Sequence, residues 1–376
     1  MSKKQGYVST TQIEKRFNLI RTVLAIVISL LFCFLLIFIS SKQPLQDIIT
    51  FMIAPLTSPS RFSMMLIKMS PLLFTSLAVC VLFAGNTANL AVEGAFYAAA
   101  LASSVISVIP NFLPAPLHFI IAALVGCFGA MAVLLIPAVL KLKFNANIVV
   151  CSLMLNYIIN LLGNYLICGP LKEPNFNKEA TRQIADTAKL PIIANVSGQK
   201  IHLGIIIGII CCFIGWFVIY KTNFGYETRT VGQNPNFAKF SGINVGKVIV
   251  IGSILAAIFC GIGATSEING HYRRLEWKES VGYGWDGIMV AILAGNNPLF
   301  CIPGAAFLAY IRTSADVLNM TSNIPIEIAN VVQQVVIIMI AAKGLLDKPQ
   351  QKAIIANAKK QAEVELQKKE LAENKG

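Results

Sequence analysis

Long apolar runs separated by short polar connections cover most of this chain. Runs of the roughly 20 residues that a helix needs to cross a bilayer lie at 22–40, 64–83, 90–109, 117–140, 148–168, 203–220 and 248–264. Shorter or less regular runs follow at 285–293, 299–311 and 328–342. The pattern predicts an all-α fold, a polytopic transmembrane helical bundle of about ten spans with broken or re-entrant helices among them. The run that begins at residue 22 continues to Ser40. That is too long for the core of a cleavable signal peptide, so the run is expected to stay as the first helix.

Two places interrupt the regular spans. The connection 84–94 carries Asn86, Asn89 and Glu93 yet is too short to leave the membrane region comfortably. In the second half, a glycine-rich stretch at 282–287 precedes a run of about half the usual span length, and Asn296, Asn297 and Pro298 then turn the chain. Broken helices are tolerated only where they face protein or a water-lined cavity. These two places are therefore where a path through the protein is expected, with Glu93 and Asp286 near membrane depth. An intramembrane carboxylate is a functional candidate, or else a partner for the exposed N–H groups of a broken helix end.

A third anomaly is a polar segment, 227–243, stranded between two apolar runs. Asn234 suits an N-cap, Pro235 the first helical position, and Gly242 a left-handed C-terminal closure. Phe237, Lys239 and Phe240 are then left to face a partner in the cytoplasm. The domain reading is a cytoplasmic N-terminal segment 1–21, a transmembrane domain 22–345 with a cytoplasmic loop 221–247 and an outer loop 169–200, and a charged cytoplasmic tail 346–376. The outer loop is read as either a small folded cap or a flexible loop.

Composition agrees with the pattern. The 376 residues are 56% hydrophobic and 13% charged, with a mean hydropathy of +0.68, which excludes a soluble globular domain. The net charge of +13 does not imply a nucleic-acid partner. Lys3, Lys4, Lys15, Arg16 and Arg21 precede the first run, and Lys141 and Lys143 follow the fourth. This positive-inside bias, with an even number of crossings, puts both termini in the cytoplasm. The cysteines lie almost wholly within apolar runs and read as small buried hydrophobes. His118, His202 and His271 sit at span edges without ligand spacing, so neither a metal site nor a cofactor is expected. With no catalytic set in view, an enzyme is not expected either.

The polar residues inside the spans supply the remaining candidates. Asn156, Asn160 and Asn164 recur every four residues, so they share one helical face, with Tyr157 beside them. The stripe reads equally as interhelical hydrogen bonding or as a polar lining for a hydroxylated or amide-bearing solute. A second stripe, Glu327, Asn330 and Gln334, starts the last run. Residues 242–247 look superficially like a phosphate loop, but a glycine spacing is short by one and no hydroxyl residue follows Lys247. Gly261 and Gly263 lie in an apolar run and read as helix packing through small residues.

The stretches NLAVEG (89–94), NIVVCSLMLNY (147–157), GPLKEP (169–174), RTVGQNPNFAKFSGI (229–243) and GWDGIMVAILAGNNP (284–298) together resemble recurring elements of one family. They are similar to the permease subunits of ABC importers of the branched-chain amino acid, ribose and nucleoside group, over about residues 71–345. The LMLNY run combined with the GPL loop resembles the nucleoside, guanosine-type branch. The resemblance implies a bacterial cytoplasmic-membrane protein that translocates nucleosides. Its implied partners are a separate ATPase subunit, a second and often non-identical permease, and an extracytoplasmic binding lipoprotein. It also implies that Asn234, Pro235, Phe237, Ala238, Lys239, Phe240, Gly242 and Ile243 form a helix that couples to the ATPase. Candidates for the substrate path are Asn86, Asn89, Glu93, Asn156, Tyr157, Asn160, Asn164, Asp286, Asn296 and Asn297. Ile148 departs from the family's acidic residue, and the aromatic pair Phe237 and Phe240 from a more alanine-rich helix. The alternatives are a pentose or hexose importer with the same mechanics, and an ion-coupled carrier working through Glu93 or Asp286.

Overall fold

The computed structural model describes residues 43–322 apart from 111, 112, 175, 177 and 178, with scattered positions between 27 and 39 and residue 331. The first and last expected spans, the N-terminal segment, the charged tail and the Glu327, Asn330 and Gln334 stripe fall largely or wholly outside the described residues. The chain divides into two compact units, one of residues 1–48 with 322–376 and one of residues 49–321. In the first, the Ser322 hydroxyl donates to the Asp47 carboxylate. The second holds the bundle.

After a ten-residue helix α1 (Pro44–Ile53) that the sequence pattern does not predict, α2 (Pro59–Ala84) runs through the centre of the second unit. Ser58 starts it by accepting the Arg61 N–H, with Pro59 in the first turn. Pro71 interrupts its ladder midway, where the Thr75 hydroxyl donates to the Pro71 carbonyl. Leu72, Leu73, Phe74 and Leu77 are wholly buried. The neighbours reach α2 through glycines, which remove the side chain at the crossing and let backbones approach. Gly208 and Gly215 of α6 (Gly204–Lys221) abut Leu73 and Leu77, Gly263 of α9 (Val245–Gly270) abuts Phe74, and Gly287 of α10 (Tyr283–Leu293) abuts Thr75. On the far side of α9, Gly261 abuts Cys127 of α4 (Ala115–Phe144), which also packs on α3 (Val92–Ser107). The Gly261 and Gly263 pair is thus a packing device.

Helix α5 (Ile148–Cys168) is the least buried of the long helices, N-capped by Asn147 and docked against α3 and α4. Helix α11 (Cys301–Thr321) packs against α2, and Cys80 and Cys301 meet across that contact with sulfurs 3.3 Å apart as free thiols.

Two expectations change, while the count of spans covers the described residues alone. Among the described residues, five helices are long and apolar enough to cross a membrane, α2, α4, α5, α6 and α9, with α3 and α10 shorter. The run 299–311 belongs to a helix that continues to Thr321. Its polar second half ended the hydropathy signal, but Arg312 pairs with the buried Asp286, and Asp316 with the half-buried Lys68. Finally, the all-α expectation fails in the outer loop, which contains an antiparallel hairpin of β1 (Ile192–Val196) and β2 (Gln199–His202). The paired Val196 and Gln199 flank Ser197 and Gly198, both at positive φ, the conformation of a two-residue hairpin turn. This loop is a folded cap, laced to residues 269–275 by Leu190 N–H to Asn269 O at 3.0 Å, Ile184 N–H to Arg273 O at 3.0 Å and Thr181 N–H to Leu275 O at 3.1 Å. Ion pairs of Glu173 with Arg274 and Glu179 with Lys278 reinforce the lacing.

Candidate translocation and coupling sites

Helix α10 begins inside the bundle, so its first N–H groups need acceptors that no water supplies. Glu93, in the first turn of α3, provides them. Its two oxygens accept from Gly282 at 2.7 Å, Gly284 at 2.6 Å and Trp285 at 3.3 Å. Gly282, at φ 87°, turns the chain into the helix, and Gly284 lies directly against the Glu93 backbone. A carboxylate beside a helix N-terminus also meets the positive end of the helix dipole. In the same first turn, the buried Asp286 forms an ion pair with Arg312 of α11.

The asparagines serve the same joint. Asn156 donates to Leu90 O at 3.0 Å and accepts from Gly94 N–H at 2.9 Å, fastening α5 to the start of α3. Asn160 accepts from Ser280 N–H at 3.0 Å, and Asn164 accepts from the Cys168 thiol. Tyr157, beside this stripe, is 70% exposed on the outer face of α5. Asn89 is buried, donating to Leu134 O and accepting from Ala91 N–H, while Asn86 turns the chain at φ 52°. At the other end of α10, Asn296 adopts φ 58° with its side-chain oxygen buried and unpartnered, and Asn297 accepts from Leu299 N–H. The structure therefore brings Glu93, Asn156, Asn160 and Asp286 around one joint, with Asn86, Asn89, Asn296 and Asn297 at turns.

Above this joint lies a cluster that sequence reading passed over. Phe96 and Trp277 are nearly parallel, at 17° with ring centroids 6.3 Å apart. Tyr283 meets both edge-on at 5.6 and 6.0 Å, and Tyr272 meets Trp277 edge-on at 5.2 Å. Glu267, in the last turn of α9, is 2% exposed, and its Oε2 makes no hydrogen bond. His202 Nε2, also without a hydrogen bond, lies 3.9 Å from it. Burial, with His271 adding to it, pushes His202 down to about 4, so its ring is neutral at physiological pH. The only sequence signal for this cluster was aromatic residues bunched at 272–285.

At the opposite end of α6, two short helices cross the end of the bundle. Helix α7 (Asn223–Gln233) starts at Thr222, whose hydroxyl accepts the Gly225 N–H, and Gly232 sits against the Ala84 carbonyl at the end of α2. Helix α8 (Pro235–Phe240) is capped by Asn234, which accepts from Asn236 and Phe237 N–H at 3.1 and 3.0 Å. Gly242 closes it at φ 83°. Ala238 faces inward on a small core of Val231 and Val248 that Ile243 and Val245 complete, whereas Phe237 and Phe240 are 60% and 92% exposed. Lys239 is likewise exposed. Asn244 accepts from Lys247 N–H and starts α9. The segment resembling a phosphate loop is thus a turn and a helix cap.

The described residues form a helical bundle with a clamped half-length helix inside and a polar helix pair at one end. The family model for the branched-chain amino acid transport system permease component matches residues 61–341, and the chain belongs to that family. It is a transport subunit and not an enzyme. It is 28% identical over 363 residues to the nucleoside ABC transporter permease protein NupB of Lactococcus lactis, covering 90% of this chain and 97% of that one. It is 28% identical over 282 residues to the guanosine ABC transporter permease protein NupP of Bacillus subtilis, covering 73% and 79%. The glucose ABC transporter permease protein TsgB13 of Haloferax volcanii is 27% identical over 296 residues, covering 76% and 77%.

Proposed function

We propose that this chain is the membrane-spanning subunit of an ABC importer for nucleosides, in a bacterial cytoplasmic membrane with both termini inside. The observation that carries the substrate class is the likeness to a nucleoside permease across nearly the full length of both chains. Solute arrives from a binding lipoprotein at the outer cap. A separate ATPase grips α8, where Phe237 and Phe240 are exposed on a helix that Ala238 fastens to the bundle. A second permease, a non-identical paralogue, completes the membrane part, and the solute passes the joint of α3, α5 and α10 near Glu93, Asn156 and Asp286.

The mechanics follow from rigidity. An ATPase that closes on nucleotide moves a bundle only through an element it holds and that does not yield, and a capped helix on its own small core supplies one. The test is uptake of labelled guanosine, inosine and uridine by cells carrying the whole transporter, with unlabelled competitors. Competition by nucleosides but not glucose is expected. Competition by glucose alone would support the second reading, a sugar importer, which the likeness to TsgB13 favours. Uptake that survives ATP depletion while an ion gradient persists would overturn both.

A further inference from the structure

We propose that Phe96, Trp277 and Tyr283, together with the Glu267 carboxylate, form a nucleobase-binding subsite inside this subunit. The inference rests on the nucleoside reading above and says where and how the base is recognised.

Three observations converge. The first is the ring arrangement. Phe96 and Trp277 present nearly parallel faces, and Tyr283 closes one side edge-on to both. Flat heteroaromatic bases stack on such faces whatever their sequence of ring atoms. The second is unspent polarity. Glu267 Oε2 and both side-chain atoms of Asn269 are buried without a hydrogen bond, each residue being 2% exposed. Buried polar atoms ordinarily find partners, and an orphan carboxylate oxygen is among the most expensive exceptions. The Glu267 carbonyl accepts the Tyr272 N–H at 3.4 Å, and Tyr272 meets Trp277 edge-on, which ties the residue to the ring cluster.

The third is position. Residues 271–282, which carry Tyr272 and Trp277, are laced to the outer cap at one end and held by Glu93 at the other. This segment covers the cluster from the side on which solute arrives. In the present conformation the rings pack on one another and the subsite is closed. Lifting the segment separates Trp277 from Phe96 and admits a base between them.

The chemistry selects among bases. In its ionised form the Glu267 carboxylate only accepts, so that form favours a base edge that presents N–H groups side by side. Guanine offers a ring N–H beside an exocyclic amino group, hypoxanthine offers the ring N–H alone, and adenine places an acceptor at that ring position. The expected ranking is guanosine, then inosine, then adenosine.

The experiment uses the assembled transporter. Uptake kinetics are measured for guanosine, inosine and adenosine in wild type, Glu267→Gln, Phe96→Leu and Phe96→Tyr, with Trp216→Phe of α6 as a control. Glu267→Gln replaces an acceptor by an amide donor at one position. It is expected to raise the KM for guanosine about tenfold, the loss of one charge-assisted hydrogen bond, and to compress the ranking. Phe96→Leu raises KM for all three, and Phe96→Tyr restores it because the ring face returns. Quenching of tryptophan fluorescence by guanosine is measured in the purified complex in a Trp285→Phe background; it should vanish on adding Trp277→Phe and persist on adding Trp216→Phe, an independent readout if Glu267→Gln fails to assemble. Nucleoside uptake with unchanged KM and ranking in these variants, or quenching that survives Trp277→Phe, overturns the subsite and leaves the importer assignment standing. Absence of nucleoside uptake in wild type overturns both.

Discussion

Glu93 caps a helix to which it does not belong, and that arrangement sets what its removal does. Glu93→Ala leaves the Gly282, Gly284 and Trp285 N–H groups facing protein without an acceptor. Each orphaned buried group costs about 1–3 kcal/mol, so a clear drop in melting temperature of the detergent-purified protein is expected, and Glu93→Gln should recover part of it. Melting unchanged in Glu93→Ala would rule the clamp out as a source of stability. Arg312→Leu strands the Asp286 carboxylate and should cost about 3–5 kcal/mol, whereas pairing it with Asp286→Asn should recover most of the loss. If the double variant melts no higher than the single one, the ion pair is not what holds α10 to α11. At this scale the sequence was half legible. Glu93 and Asp286 stood out because each lies beside a break in an apolar run. Arg312 and Glu267 did not, because each sits where a hydropathy run fades and a charge is ordinary. Only the approach of another helix turns them into buried partners.

Helix α8 illustrates what local chemistry can specify at the scale of an element. Asn234, Pro235 and Gly242 mark its ends in the sequence because capping is a contact between residues two or three apart. The structure adds Asn147 and Asn244 as caps of the same local kind at the starts of α5 and α9. The full length of α11 and the hairpin of the outer cap were not legible in the same way. The first depends on ion pairs to α2 and α10, the second on a short strand pair inside a long polar loop. Phe237→Glu with Phe240→Glu should reduce nucleoside uptake to background while membrane insertion and melting temperature stay at wild type, since both side chains are exposed. Co-purification of the ATPase should fall in parallel. Retained co-purification and uptake would remove α8 as the grip.

At the scale of the described molecule, the outer cap contains carboxylates that make it sensitive to acid. Its hydrogen-bonded pairing with Lys278 holds Glu179 below the usual carboxylate range. A depressed carboxylate contributes stability that is present above its ordinary value and is lost as the pH falls through the lowered one. Hydrogen exchange of residues 179–190, corrected for intrinsic rates, should therefore accelerate only below the ordinary carboxylate range. Lys189 holds Asp186 low in the same way, so a Glu179→Gln, Asp186→Asn variant should exchange faster at neutral pH and show no further acid step. An acid step retained in that variant would assign the sensitivity elsewhere.

The contact between Gly232 and the Ala84 carbonyl joins the polar helix pair to the end of the most buried helix, backbone against backbone. No side chain cushions that joint, so a displacement of α7 passes to α2 undamped. A single methyl group placed there by Gly232→Ala acts as a shim. The methyl meets the Ala84 carbonyl well inside contact distance, so α7 must move off α2, and a lower melting temperature is expected together with a changed basal ATP hydrolysis of the assembled transporter. Transporters of this build can then be tuned in their idling rate by the thickness of one residue far from the solute.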